Sequence, residues 1–297
     1  MPKRTLIAMF SSAVLLNVHA AELSLSGSLN PSLEYDDNIF MRESDKLGDY
    51  HATMTPTLTV AYETDRSESS LVSGFVMDRY HTSSYLDNDD PFLKLNTAYK
   101  TELSLLSLGL GFSEKSSRSE AAEDTGDFET NSTAEKTNIL AAFAYQLTER
   151  DAVLLSASYT EITFSTSDFS DSKNHSESIH WKHRFTERLN GGISLLASNN
   201  KSAGLLIATD DDTYNLSFTS DYNLSEVWAI DGSVGLRQLD SRQTDVLGVT
   251  TEASSSGSSL SIKVSYKTGI DQANLSLLRS ISPSSTGDVN EQDKISM

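Results

Sequence analysis

Residues 212–224 read Asp-Thr-Tyr-Asn-Leu-Ser-Phe-Thr-Ser-Asp-Tyr-Asn-Leu. Tyr214, Leu216, Phe218, Tyr222 and Leu224 fall on one parity, with Ser220 the only gap. Asn215, Ser217, Thr219, Asp221 and Asn223 fall on the other. A β-strand sends successive side chains to opposite faces, so this segment predicts a strand apolar on one side and wet on the other. The same alternation recurs from the start of the chain. Leu23, Leu25, Leu29, Leu33 and Tyr35 alternate with Ser24, Ser26, Ser28, Asn30, Ser32 and Glu34. It returns in Trp228, Ile230, Val234 and Leu236, and again in Leu260, Ile262, Val264 and Tyr266.

The periodicity predicts strands over 23–35, 52–63, 69–81, 91–101, 103–114, 136–147, 152–165, 177–186, 189–199, 212–223, 227–239, 257–267 and 271–281. Their connections alternate in length. Short turns fall near 64–66, 101–102, 148–151, 186–188, 223–226 and 267–270. Longer acidic or Ser-rich links fall near 36–50, 82–90, 115–133, 166–175, 200–211 and 240–256. Outer-membrane barrels have short periplasmic turns and longer extracellular loops, and their strands alternate apolar-out and polar-in. The fold class predicted is therefore an all-β, transmembrane, antiparallel up-and-down β-barrel. Tyr35, Tyr62, Tyr99, Tyr145, Tyr159, Phe185, Tyr222, Trp228 and Tyr266 lie near predicted strand ends, where an aromatic girdle belongs. Ordinary β-propensity would also place aromatics in strands.

The first residues sharpen the compartment. Lys3 and Arg4 precede an apolar run from Leu6 to Leu16 and a small-x-small segment at Val18-His19-Ala20. This order is that of a secretory signal, giving 1–21 as signal peptide and 22–297 as the barrel, bound for the outer membrane of a Gram-negative envelope. No later segment approaches the roughly 18 apolar residues of a membrane helix. The chain has no cysteine, which removes thiolate metal sites and nucleophiles. Its formal charge of −19 argues against nucleic acid as a partner. A hydrophobic fraction of 37% fits a barrel, since only alternate strand residues meet lipid.

The C-terminal Lys294-Ile295-Ser296-Met297 reads as the start of a fourteenth strand without the usual terminal aromatic. The expectation is a chain lacking closing strands, with about 14–16 in the complete form.

Two stretches carry a resemblance. Glu34-Tyr35-Asp36-Asp37-Asn38-Ile39-Phe40 ends the first strand. Ser280-Ile281-Ser282-Pro283-Ser284-Ser285-Thr286-Gly287 follows Arg279. As a pair at opposite ends of the chain, they resemble a family of outer-membrane β-barrel porins found with exopolysaccharide or capsule export and exosortase loci. The resemblance implies a porin-like barrel serving polysaccharide secretion and carries no catalytic residues. Alternatives are a general diffusion porin, a plugged structural or surface-binding barrel, and a soluble secreted carbohydrate binder.

Catalytic chemistry finds little footing. Asp36/Asp37, Asp87/Asp89/Asp90 and Asp210/Asp211/Asp212 fall in predicted loops, where carboxylates stay solvated; divalent-cation binding there is the alternative. His180 and His183 differ by an odd number and should face opposite sides of a strand, so no metal site is expected. No cofactor motif is present. Parity instead assigns Glu34, Glu63, Lys94, Lys182, Arg184, Asp221, Asp231, Arg237 and Lys263 to the lumen wall. Their mixed signs suggest a transverse field or internal salt bridges rather than a one-sign selectivity ring. Expected partners are outer-membrane lipid and lipopolysaccharide, the barrel-assembly machinery and a polysaccharide.

Overall fold

The computed structural model describes residues 21–40, 43–116, 133–166, 169–283 and 289–296. Fourteen strands follow one another: β1 Glu22–Asp36, β2 Asp49–Glu63, β3 Ser67–Tyr80, β4 Asn88–Lys100, β5 Ser104–Ser116, β6 Thr133–Gln146, β7 Asp151–Phe164, β8 Asp171–Arg184, β9 Leu189–Ala203, β10 Ile207–Asn223, β11 Trp228–Asp245, β12 Thr250–Lys267, β13 Gln272–Pro283 and β14 Val289–Ser296. They form one antiparallel sheet in sequence order, each strand paired with its neighbours in the chain. β1 and β14 are its two edges and are not paired with each other.

The alternation decides which face is which. Along β10, Asp211, Thr213 and Ser217 are 6–8% exposed, whereas Tyr214, Leu216 and Phe218 are 41–59% exposed. The polar face is the sheltered inner side of the curved sheet, and the apolar face looks outward. Cross-strand partners share a face, so the register carries this assignment from strand to strand. One inner row runs unbroken over twelve strands: Ser26, Thr59, Val72, Lys94, Gly111, Asn138, Thr160, Asn174, Asn200, Asp211, Ser241 and Ala253.

The register also fixes the tilt. The short hairpins end on the pairs Glu63–Glu68, Lys100–Leu105, Gln146–Ala152, Arg184–Asn190, Asn223–Ala229 and Lys267–Gln272. Another inner row joins Glu63, Glu68, Ala98, Ser107, Ala142, Ser156, Ser178, Leu196, Asn215, Arg237 and Gly257. Relative to it, each hairpin ends two residues lower than the one before, a stagger of one residue per strand. With about 3.3 Å rise and about 4.8 Å strand spacing, this tilts the strands by about 35°, the range a closed barrel requires.

All six short turns use the same device. The amides of Arg66 and Ser67 both donate to the Thr64 hydroxyl, at 3.3 and 2.8 Å. Thr101, Thr148, Thr186, Ser225 and Thr268 each accept the same two amides, two and three residues on. A hydroxyl at the first turn position replaces water on amides the ladder leaves unpaired. In five of the six an acid follows it: Asp65, Glu102, Glu149, Glu187 and Glu226, all exposed.

At the opposite end the strands run further than their apolar alternation. β10 begins at Ile207, β11 continues to Asp245 and β12 begins at Thr250. The links expected over 200–211 and 240–256 are largely strand, closing in turns at 204–206 and 246–249. In the latter, the Asp245 side chain accepts the Leu247 and Val249 amides, both at 2.9 Å, and Gly248 takes a left-handed φ of 78°. Most of the expected 115–133 loop lies outside the described residues, as does the proposed signal peptide up to residue 20.

Candidate pore wall and its outer collar

The outer face has a sharp upper limit. On eight strands, counting from the last hairpin pair, the first outward charged residue past the aromatic level comes at a nearly constant distance, whereas on β13 Arg279 comes at seven residues and on β12 Glu252 at fifteen. Arg79 on β3, Asp89 on β4, Glu135 on β6, Lys201 on β9, Asp212 on β10 and Asp240 on β11 stand eleven residues out. Glu114 on β5 and Glu161 on β7 stand nine out. Glu177 on β8, seven residues out, comes earlier and is bonded to His175 at 2.6 Å. At about 35° tilt, nine to eleven residues rise about 25–30 Å, close to the ~25 Å apolar band of outer-membrane barrels.

The lower limit is aromatic. Tyr62, Tyr99, Tyr145, Tyr222 and Tyr266 each stand one residue inside the last hairpin pair, and Trp228 one residue to the turn side of its pair, all on the outer face. Trp228 and Tyr266 are register partners with ring centroids 4.8 Å apart. Tyr35 instead packs on Tyr50 at the long-loop end, at 4.9 Å. His183 belongs to the lower level, held by Asp151 at 2.7 Å and packed edge-on against Phe185. His180 faces inward, within 3.1 Å of the Thr219 hydroxyl. The two histidines are thus on opposite faces, and no metal-competent cluster occurs among the described residues.

Above the band the outer face becomes a charged collar. Glu161, Lys173, Lys201, Asp210, Arg242 and Glu252 are consecutive register partners across β7 to β12. Three ion pairs bind them: Glu161–Lys173 at 2.8 Å, Lys201–Asp210 at 3.0 Å and Arg242–Glu252 at 3.0 Å. Lys173, by hydrogen bond and charge, and the Tyr159 hydroxyl hold the Glu161 carboxyl below its usual range. Asp210, by contrast, is pushed up by burial but is brought lower overall by bonds from Asn199 and Lys201. The Asp210–Asp212 run is therefore not a solvated loop. Asp210 and Asp212 join the collar, both accepting from Asn199, while Asp211 points inward and accepts from Ser241 at 2.5 Å.

The nine residues assigned to the wall all lie on the inner parity, and the register sorts them by level. Glu63 and Arg184 sit in the last hairpin pairs. Lys182, Asp221 and Asp231 stand two residues above them, and Lys263 four. Lys182 pairs with Asp221 at 2.5 Å, and Lys263 is the register partner of Asp231. Arg184 donates instead to the Glu149 carbonyl. Lys94 and Arg237 stand at mid-wall, six and eight residues up, and Glu34 is near the long-loop end beside His51. Between the charges the wall is small and neutral. Ser156–Ser178 and Ser158–Ser176 form hydroxyl rungs at 2.7 and 2.8 Å. Leu239, buried between Thr213 and Ser255, breaks the polar row.

Sequence reading missed the latch over the β1–β4 end. Ile39, Phe40 and Leu86 form a small buried cluster with Tyr80 against it. Asp49 anchors the latch, accepting the amides of Tyr50, Thr82 and Ser83 at 2.8, 3.0 and 2.7 Å. Burial alone would raise its pKa, but these amides hold it below the ordinary value. Beyond Pro91, burial pushes Asp90 up to about 6, Ser116 opposing with an amide bond and Asp78 and Glu114 adding repulsion.

No family model matches the chain, and no curated protein matches it. Solved structures do. The chain is similar to the ferric citrate transporter FecA (11% identity, TM-score 0.56), covering 86% of this chain and 44% of that one. It is similar to BauA, the ferric preacinetobactin receptor of Acinetobacter baumannii (9%, 0.57), covering 92% and 52%. It is also similar to FauA, the alcaligin outer-membrane receptor of Bordetella pertussis (12%, 0.53), covering 89% and 44%. The chain spans about half the length of these receptors, and at such identities the likeness is one of fold: a run of antiparallel strands as in outer-membrane β-barrels.

Proposed function

We propose that the chain is a non-enzymatic, porin-like outer-membrane barrel that serves as a conduit in exopolysaccharide export. The observation that carries the membrane part is the height of the outer face: eight strands place their first outward charge nine or eleven residues above the hairpin. A soluble sheet has no reason to keep charge off one face to a common level. The inner wall of Ser, Thr, Asn and Gly supports a water-filled path, since hydroxyls and amides offer sugars exchangeable hydrogen bonds without a deep well. The polysaccharide assignment rests on the resemblance of the 34–40 and 280–287 stretches. In hydrocarbon the edge amides of β1 and β14 need partners, so the working form is a closed sheet.

Purified protein folded into liposomes should migrate faster unheated than boiled, and should conduct in planar bilayers. Deleting it should lower surface polysaccharide while cytoplasmic precursors persist. Intact export with impaired uptake of small solutes would assign it to general diffusion instead. A protein that stays in the aqueous phase would remove the membrane reading.

A further inference from the structure

The mixed signs on the wall separate once they are ordered by height. Acids are confined to the two ends, where inward cations accompany them: Lys100, Arg184, Lys267 and Lys182 at the short-turn end, Lys115 and Lys136 at the other. Glu63, Glu68, Asp221 and Asp231 lie within two residues of the short-turn end, while Asp78 and Asp90 lie ten residues up and Asp211 twelve. Between those levels, among the described side chains, the inner wall holds no acid. Its fixed charges there are Lys94, Arg237 and, on the edge strand β14 opposite Leu278, Lys294, together with Lys263, which faces Asp231.

Among the described residues, Lys94 and Arg237 are unpaired. Arg237 has a buried Nε with no hydrogen-bond partner, and neither residue makes an ion pair among the described residues. Their register neighbours carry no charge: Gly111, over which the neutral Asn138 side chain lies, is beside Lys94, and Gly257 is beside Arg237. The contrast is Lys182, which is neutralised by Asp221 nearer the rim. Arg237, half-buried with an orphaned donor, is costly to leave without a counter-charge and is completed by an anion, while the exposed Lys94 ammonium is free to meet one.

Lys94 is on β4 and Arg237 on β11, seven strands apart. In a ring of fourteen to sixteen strands tilted by about 35° that places them on opposing walls, their backbones ~26–30 Å apart. We propose that Lys94 and Arg237 form an acid-free cationic waist between two mouths of mixed charge, which engages carboxylate or phosphate groups, so that the exported polymer is an acidic polysaccharide. This rests on the conduit reading above. It runs against the overall charge of −19, because the acids are kept to the collar, turns and mouths.

The test uses the full chain in planar bilayers under a potassium chloride gradient. Wild type should show anion preference, K94Q/R237Q should lose it, and K94E/R237E should reverse it. Oligomers of glucuronic acid and of a sugar phosphate should block wild type from micromolar to millimolar concentrations, and neutral dextran oligomers should not. Block by only one of the two acidic oligomers would identify the group carried. Cation preference in wild type, or block insensitive to K94Q/R237Q, would overturn the waist and leave the conduit standing. Should no conductance appear, the conduit reading fails. Calorimetric titration of the folded, detergent-solubilised chain with the same oligomers then decides the waist alone: binding lost in R237Q supports it, and no binding overturns it.

Discussion

Thr101 shows how little sequence a barrel turn needs. Its hydroxyl accepts the Leu103 and Ser104 amides at 3.3 and 2.9 Å. Thr101→Ala should cost about 1–2 kcal/mol of folding free energy into lipid vesicles, and Thr101→Ser almost nothing, as read from denaturant titration. Equal losses in both variants would show that the methyl group, not the hydroxyl, matters. Side-chain polarity should matter even more on the outer face. Leu216→Arg should cost about 2–4 kcal/mol, whereas Thr219→Arg, three residues on and inward, should be mild. Similar costs at both positions would invalidate the assignment of faces. The latch has its own pH signature. The lowered Asp49 carboxyl contributes stability above its ordinary range and loses it as pH falls through its folded value. Asp90, raised to about 6, contributes fully below the ordinary range and loses that as pH rises through about 6. Hydrogen exchange at Ser83 and Ser116, corrected for intrinsic rate, should show protection greatest near the ordinary carboxylate range. Asp90→Asn should abolish the decline towards pH 7; a variant that still declines like wild type would contradict the Asp90 assignment.

At the level of elements, what could be read in the sequence was the apolar band and not the hydrogen-bonded ladder. The alternation begins near Asp212 on β10, yet the strand starts at Ile207. It ends near Leu239 on β11, yet that strand reaches Asp245. Past the membrane edge both faces are polar, so the period-two signal vanishes while the backbone pairing continues. The collar was invisible for the same reason: Glu161, Lys173, Lys201, Asp210, Arg242 and Glu252 are scattered in sequence and aligned only by register. The wall residues were readable individually, because parity is local. Their levels were not, since ordering Lys94 against Arg237 requires the stagger accumulated over seven strands. The latch was hidden because its anchor, Asp49, acts on amides 33 and 34 residues away.

For the whole molecule, the two ends of the sheet differ in kind, and this sets the expected orientation. One end has six four-residue turns on one pattern; the other has extended hairpins, the collar and the latch. Cysteine placed at Leu247, highly exposed in its turn, should react with an impermeant maleimide on intact cells, and cysteine at Asp65 only after permeabilisation. The reverse pattern would invert the topology. Every ladder of the sheet joins strands adjacent in the chain, so only its closing seam waits on a distant segment. That favours stepwise growth of the sheet, one hairpin at a time, over a search among long-range pairings.

The repeated hydroxyl turn has a consequence for descent. Each hairpin between Thr64 and Asp271 carries its own turn signal, its own aromatic footing or close equivalent, and the same two-residue step to the next. A unit so complete can be copied or deleted without re-registering the others. Girth would then be inherited as a number of hairpins, so kin of this protein could differ by whole strand pairs while keeping wall height unchanged.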